Sequence, residues 1–163
     1  MDVKLLQPTP TEVSSLLRGV ITFRSYEIVE AALPPRVILD QSRHLLSATP
    51  LSYRWSIPFL VLEPAAGAIV GSIGGKGLLA EDTDVELGYN VAPTFRQRGI
   101  ATAAVALITH MSLADGLCPL AHVEPWNVAS IRALIRNGYH LECSVRMPAG
   151  FRLDRYRWSA DEH

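Results

Sequence analysis

Two stretches of this chain have the composition of anion-binding loops: "GSIGGKG" from Gly71 to Gly77, and "RQRGIA" from Arg96 to Ala101. A Walker-type nucleotide loop requires the GxxxxGK[ST] spacing and a helix behind it. In the first stretch only Ser72, Ile73 and Gly74 separate Gly71 from Gly75-Lys76, Gly77 stands at the hydroxyl position, and the acidic, strand-like "LLAEDTDVELGY" follows. Its glycines therefore read as strand bulges and turn positions. The second stretch lies between a strand ending at Val91 and a long apolar helix opening at or just before Gly99. The first N–H groups of a helix lack internal partners and sit at the positive end of its dipole, a ready anion site. Gly99 has no Cβ to keep an anion from the backbone, Ala101 is nearly as small, and Arg96 and Arg98 add charge. No acidic residue lies between Asn90 and His110 to repel a phosphate. On these features alone, a solvated basic turn before a core helix remains the alternative.

The elements that must position this loop follow from patterning. "VKLLQP" reads as a first strand and "TPTEVSSLLRG" as a helix with threonine near its start. Residues 23–48 carry two further helical patterns broken at Pro34-Pro35. "SIPFLVLEP" and "AIVGSIGGKG" form a hairpin around Ala66-Gly67, and "TDVELGYNVAP" is the next strand. The helix "GIATAAVALITHMSLADG" is apolar nearly all round, as in a buried helix. "CPLAHVEP" is a buried strand. "NVASIRALIRNG" is an amphipathic helix capped by Asn127, with Val128, Ile131, Leu134 and Ile135 as its apolar face and Gly138 at its end. Strands over 139–147 and 151–158 close the chain; the alternating "RLDRYRW" suits an edge or dimer-facing strand.

At 163 residues, 48% apolar and 19% charged, the chain is sized for one domain over 1–163 with a single substantial core. A net charge of -1 offers no general attraction for nucleic acid or an anionic membrane. Cys118 and Cys143 lack CxxC spacing, and His44, His110, His122, His140 and His163 form neither HExxH nor an i,i+4 pair, so no metal is expected. With no leader-like apolar run and no apolar stretch of membrane-spanning length, the expected setting is the cytoplasm. Self-association as a homodimer is compatible with the apolar content.

Arg-x-x-Gly-x-Ala after a strand ending Val-Ala-Pro, with Asn-x-x-Ser and Asn-Gly-Tyr downstream, resembles the GNAT superfamily of acyl-CoA-dependent N-acyltransferases. "ELGYNVAPTFRQRGIATAA" is similar to its cofactor motif. "HVEPWNVASIRALIRNGY" is similar to the strand–helix unit that follows, most of all in the branch of ribosomal-protein N-terminal acetyltransferases. The resemblance runs from about Val70 to Met147 and implies an α/β (mixed α+β) fold: a central, mostly antiparallel, splayed sheet of six to seven strands with helices on both faces.

The resemblance also implies roles. Backbone amides of Gln97, Arg98, Gly99, Ile100, Ala101 and Thr102, led by Arg96, would hold the pyrophosphate of acetyl-CoA. The backbones of Asn90 and Val91 would pair with pantetheine, and the Val91 N–H would polarise the thioester carbonyl. Asn127 and Ser130 match positions that touch the pantetheine or phosphate arm; a helix cap and a small core-facing residue are their structural alternatives. An amine acceptor must lose a proton. Glu86 is the candidate base, its pKa expected to rise with partial burial, unless it faces outward; strand alternation leaves that open, because a bulge between Glu86 and Val91 would reverse its face. Glu124 and His122 are rivals. Where some members carry a tyrosine as general acid this chain has Leu134; Tyr139 could serve instead, with a core position in the following strand as its structural alternative, and water or an unassisted thiolate departure as alternatives to any side-chain acid. The implied activity is acetyl transfer from acetyl-CoA to a primary amine, on a protein N-terminus, a lysine or a small molecule. A non-catalytic acyl-CoA-binding regulatory module is the second reading.

Overall fold

The computed structural model describes residues 1–43, 50–78 and 83–160. In chain order the elements are β1 (Lys4–Leu6), α1 (Pro10–Leu17), β2 (Thr22–Phe23), β3 (Tyr26–Ile28), α2 (Arg36–Arg43), α3 (Pro50–Ser56), β4 (Phe59–Glu63), β5 (Ala68–Gly75), β6 (Asp84–Val91), a 3₁₀ turn at Pro93–Phe95, α4 (Ile100–Ala114), β7 (Cys118–Val123), α5 (Val128–Ile135), β8 (Tyr139–Arg146) and β9 (Arg152–Trp158). The sheet runs β1-β4-β5-β6-β7-β9-β8, with β2 and β3 beside it. Pairing is antiparallel except between β3 and β5 and between β6 and β7.

The expected mixed α/β sheet is present, with seven strands in its main path and the β2–β3 hairpin added. That hairpin replaces the helix expected after Phe23. Its two-residue turn puts Arg24 and Ser25 at φ 47° and 72°, without the Asn-Gly or Asp-Gly signal that usually marks such a turn. The helical pattern after Pro35 is α2; its expected continuation to Ala48, with His44, lies outside the described residues, as does His163. Ser56, assigned above to a strand, instead ends α3. The closing strand β9 is interior, between β7 and β8, so β8 is the edge. The basic residues of β9 are ion-paired within the sheet: Arg157 to Asp84 and Glu142, Arg155 to Glu142, Arg152 to Asp154.

Strand alternation builds a core on each face. On β4, Phe59 and Val61 join the cluster with Val85, Leu87, Ile100, Val105 and Ile108, while Leu60 and Leu62 join the one with Val13, Leu16 and Leu39. Helices α4 and α1–α2 supply those two covers. Helix α4 buries Ile100, Ala104, Ile108 and Ser112, one stripe at i+4 spacing, and leaves Leu107 39% exposed, so it is buried on one side and not all round. On α5 the covered residues are Ala133, Leu134 and part of Ile131, whereas Val128 and Ile135 are exposed. Asn127 does cap α5: its Oδ1 accepts from the Ser130 N–H at 3.2 Å.

The glycine-rich stretch is strand through Gly75. Val61 pairs with Gly71 but Leu62 with Ile69, so Val70 is an extra residue on β5. The bulge explains why Val70 and Ile73, three apart, both enter the same core. A Cβ on Gly74 would stand 2.9 Å from Pro58 Cα, and one on Gly75 would stand 2.6 Å from the Trp55 carbonyl oxygen. Close backbone approach demands these glycines. Phosphate does not.

Candidate active site

Strands β6 and β7 pair only through Asp84–Glu86 and Cys118–Leu120; beyond these, β6 continues with β5 alone and β7 with β9 alone. The two strands therefore part, and the opening runs along residues 87–91 of β6. Lys76 N–H donates to the Glu86 carbonyl, and Ala92 N–H to the Val70 carbonyl, with an unbroken register from Leu87 to Val91 between them. Even-numbered residues thus carry the ladder to β5, and the N–H groups of Tyr89 and Val91 point into the opening. No bulge reverses the faces. Asn90, expected to offer its backbone there, has its N–H and C=O directed at Ser72 of β5. Its side chain is a tie instead, bonded to Ser72 Oγ and donating to the Ala31 and Ala32 carbonyls at 3.0 and 3.3 Å.

The loop leading to α4 closes one end of this opening. Arg96, Gln97, Arg98 and Gly99 are exposed. Gln97 and Gly99 both have left-handed backbone, φ 61° and 79°, and Gly99 is the N-cap of α4 without a side-chain cap. The first intrahelical bond is Ala103 N–H to the Gly99 carbonyl, so the amides of Ile100, Ala101 and Thr102 have no partner within the helix. A Cβ on Gly99 would meet nothing nearer than Met1 Cβ at 3.9 Å. An uncapped fifteen-residue helix with an open approach fits a pyrophosphate well.

The two arginines are engaged differently. Arg98 Nη2 donates to Glu63 Oε1 at 3.1 Å and its guanidinium stacks on Phe95, so its charge is balanced by an almost fully buried carboxylate from the end of β4. Arg96 Nε donates to the Val91 carbonyl at 3.0 Å, which braces the strand end, and among the described residues no carboxylate pairs with it.

On the face of β6 toward α1 and α2, Glu86 is ion-paired with Lys76 Nζ, and His122 Nδ1 lies 3.1 Å from its Oε1. Burial pushes the Glu86 carboxyl up, but the hydrogen bonds and charges of Lys76 and His122 outweigh it and hold the group below the ordinary glutamate range. This reverses the rise expected from burial alone. Sequence reasoning named Glu86 and His122 as rivals; the parallel pairing of β6 and β7 makes them partners. Glu124 and Trp126 are exposed.

Tyr139 is wholly buried, its hydroxyl 2.7 Å from Thr109 Oγ1 beneath α4, and burial drives its phenol strongly upward. It is a core residue and not an acid at the opening. Leu134 is buried too. Tyr89, passed over in the sequence, projects to the α4–α5 face and donates to the Ser130 carbonyl at 3.2 Å, its pKa pushed by burial to about 12. Its only sequence signal was its place between Glu86 and Val91. Among the described residues no cluster of His, Cys, Asp and Glu could hold a metal ion.

The acetyltransferase (GNAT) domain family matches residues 4–140. The chain belongs to this family. GNAT structures resemble it over nearly its whole length. RimL, the ribosomal L7/L12 alpha-N-protein acetyltransferase in complex with coenzyme A, has a TM-score of 0.68 at 15% identity, covering 99% of this chain and 96% of that one. Mycobacterium smegmatis RimJ in complex with CoA-disulfide has a TM-score of 0.65 at 21% identity, covering 98% and 83%. A spermidine N-acetyltransferase SpeG chimera from Vibrio cholerae and hSSAT has a TM-score of 0.66 at 13% identity, covering 97% and 95%. Identities this low establish a shared GNAT fold, not a shared acceptor. No curated protein sequence matches the chain.

Proposed function

We propose that this GNAT acetyltransferase moves the acetyl group of acetyl-CoA, the co-substrate of its family, to a primary amine in the cytoplasm. Acetyl-CoA supplies the activated acyl group as a thioester. The backbone from Gln97 to Thr102 would hold its pyrophosphate, with Arg96 as the neighbouring cation. Asn127 and Ser130, already joined by the α5 cap, would present Asn127 Nδ2 and Ser130 Oγ to the pantetheine arm. Val91 N–H would donate to the thioester carbonyl oxygen as charge develops on it.

The observation that carries this reading is the opening itself: the Val91 N–H faces it and the His122–Glu86 pair flanks it. A carboxylate held below its ordinary pKa is a weak proton acceptor, so Glu86 serves better as a positioning residue. By accepting from His122 Nδ1 it fixes the tautomer whose Nε2 lone pair can take the proton of the attacking amine. On the other face Tyr89 stays protonated, and its one O–H, donated to the Ser130 carbonyl, would have to turn toward the departing sulfur to serve as the acid. Release of free CoA thiol from acetyl-CoA in the presence of amines tests the assignment. Thiol release in step with acetylated product supports it; acetyl-CoA binding without release for any amine leaves a binding module in its place.

A further inference from the structure

A cavity of about 280 Å³ lies against the face of β5 and β6 that carries Glu86, walled by Pro34, Pro35, Ile38 and Pro58 over a floor that includes Gly74 and Gly88. Building on the acetyltransferase reading, we propose that this is the acceptor pocket, and that it takes a primary amine borne on one small, uncharged, apolar body while rejecting polycationic amines.

The volume sits just under the range of roughly 300–1,000 Å³ typical of sites for drug-sized ligands, room for one small ligand. Its polar rim is already satisfied. Ser72 and Asn90 bond each other, Asn90 also donates to two backbone carbonyls, and Lys76 pairs with Glu86. The one charged group lining the cavity is Lys76, a cation, and among the described residues no carboxylate lines it. A single amine enters as the free base that attacks. Each further ammonium group of a polyamine would lose its hydration against proline and isoleucine walls, with the nearby Glu86 carboxylate already taken by Lys76 and His122. Gly88 makes the room: it lies between Glu86 and Asn90 on the same face, and a Cβ there would already stand 3.4 Å from Lys76 Cε.

Phenethylamine and spermidine are the probes, each measured by thiol release and by calorimetric binding to the protein saturated with CoA. We expect phenethylamine to exceed spermidine in kcat/KM by roughly tenfold or more. Gly88→Val should raise the phenethylamine KM by about tenfold or more and leave the acetyl-CoA thermal shift unchanged. Ile38→Asp, which gives the wall a carboxylate without filling the floor, should narrow or invert the preference even where the valine variant folds poorly. Binding of phenethylamine that Gly88→Val removes supports the pocket even when no thiol is released, an outcome that sinks only the catalytic reading. Preference for spermidine, binding of neither amine, or equal behaviour of wild type and both variants overturns the pocket assignment.

Discussion

His122 Nδ1 stands 3.1 Å from Glu86 Oε1, just past the last paired rung of β6 and β7, Glu86–Leu120, where the two strands part. The contact joins an imidazole to a carboxylate already held by Lys76. His122→Gln should lower kcat by about 100-fold or more, within the usual span for a lost general base. Glu86→Gln should cost less, about tenfold, because it misorients the base without removing it. The Glu86 carboxyl titrates below its ordinary range, so its own protonation cannot make activity fall near neutral pH. Replacing it in Glu86→Gln should therefore leave the shape of the pH–rate profile near neutrality unchanged, and the kcat values of both variants, read by thiol release, check the ranking.

Gly99 governs the anion site. Acetyl-CoA at 100 times its dissociation constant should stabilise the protein by about 2.7 kcal/mol. Gly99→Asp should abolish the corresponding thermal shift by adding bulk and negative charge at the N-cap of α4. Gly99→Ala should retain part of it. Both variants lose about 1–2 kcal/mol of intrinsic stability, because φ 79° disfavours any side chain. Thermal melts with and without acetyl-CoA separate the two effects.

Arg98 is half exposed, but its partner Glu63 is buried. Arg98→Met should destabilise the fold by about 2 kcal/mol, less than for a fully buried pair. Adding Glu63→Gln should recover most of that loss, since no unpaired carboxylate then remains. Urea unfolding of the two single variants and the double variant gives the coupling directly.

Tyr139→Phe removes a buried hydrogen bond to Thr109 and should cost about 1–2 kcal/mol with kcat unchanged. Tyr89→Phe should show the opposite balance, with a small change in stability and a lowered kcat. Denaturation midpoints and turnover measured side by side distinguish the two.

The hydrogen bond and charge of Arg24, helped by the Thr9 capping box, hold the Glu12 carboxyl down at about 2. A depressed carboxylate stabilises the fold above its ordinary pKa near 4.5 and loses that contribution as the pH falls toward 2. Both side chains are partly exposed, so solvent screening reduces the contribution to about 1 kcal/mol. Stability at pH 7 minus stability at pH 3 should shrink by that amount in Glu12→Gln, as read by urea titration.

The order from β4 to β9, the opening of α4 at Gly99 and the Asn127 cap could be read from local signals. Apolar periodicity, helix stops and capping chemistry act between near neighbours, and near neighbours are what a sequence displays. The β2–β3 hairpin escaped because its Arg24-Ser25 turn lacks the residues that announce one, and α3 because it is a short helix of about two turns that opens on Pro50.

Tertiary structure alone decided which charges meet. No acidic residue lies near Arg98 in the chain, yet Glu63, thirty-five positions away, neutralises it. Burial of Glu86 taken by itself implied a raised pKa, and Lys76 and His122, brought in by two different neighbouring strands, lower it instead. Tyr139, expected as an acid, is in the core, and Tyr89, for which the sequence raised no expectation, is at the opening, for the same reason: a strand's register and the helix laid over it determine which phenol meets Thr109 and which meets the opening. Local chain preference sets the elements, while the sign of an electrostatic shift depends on groups that only folding makes neighbours.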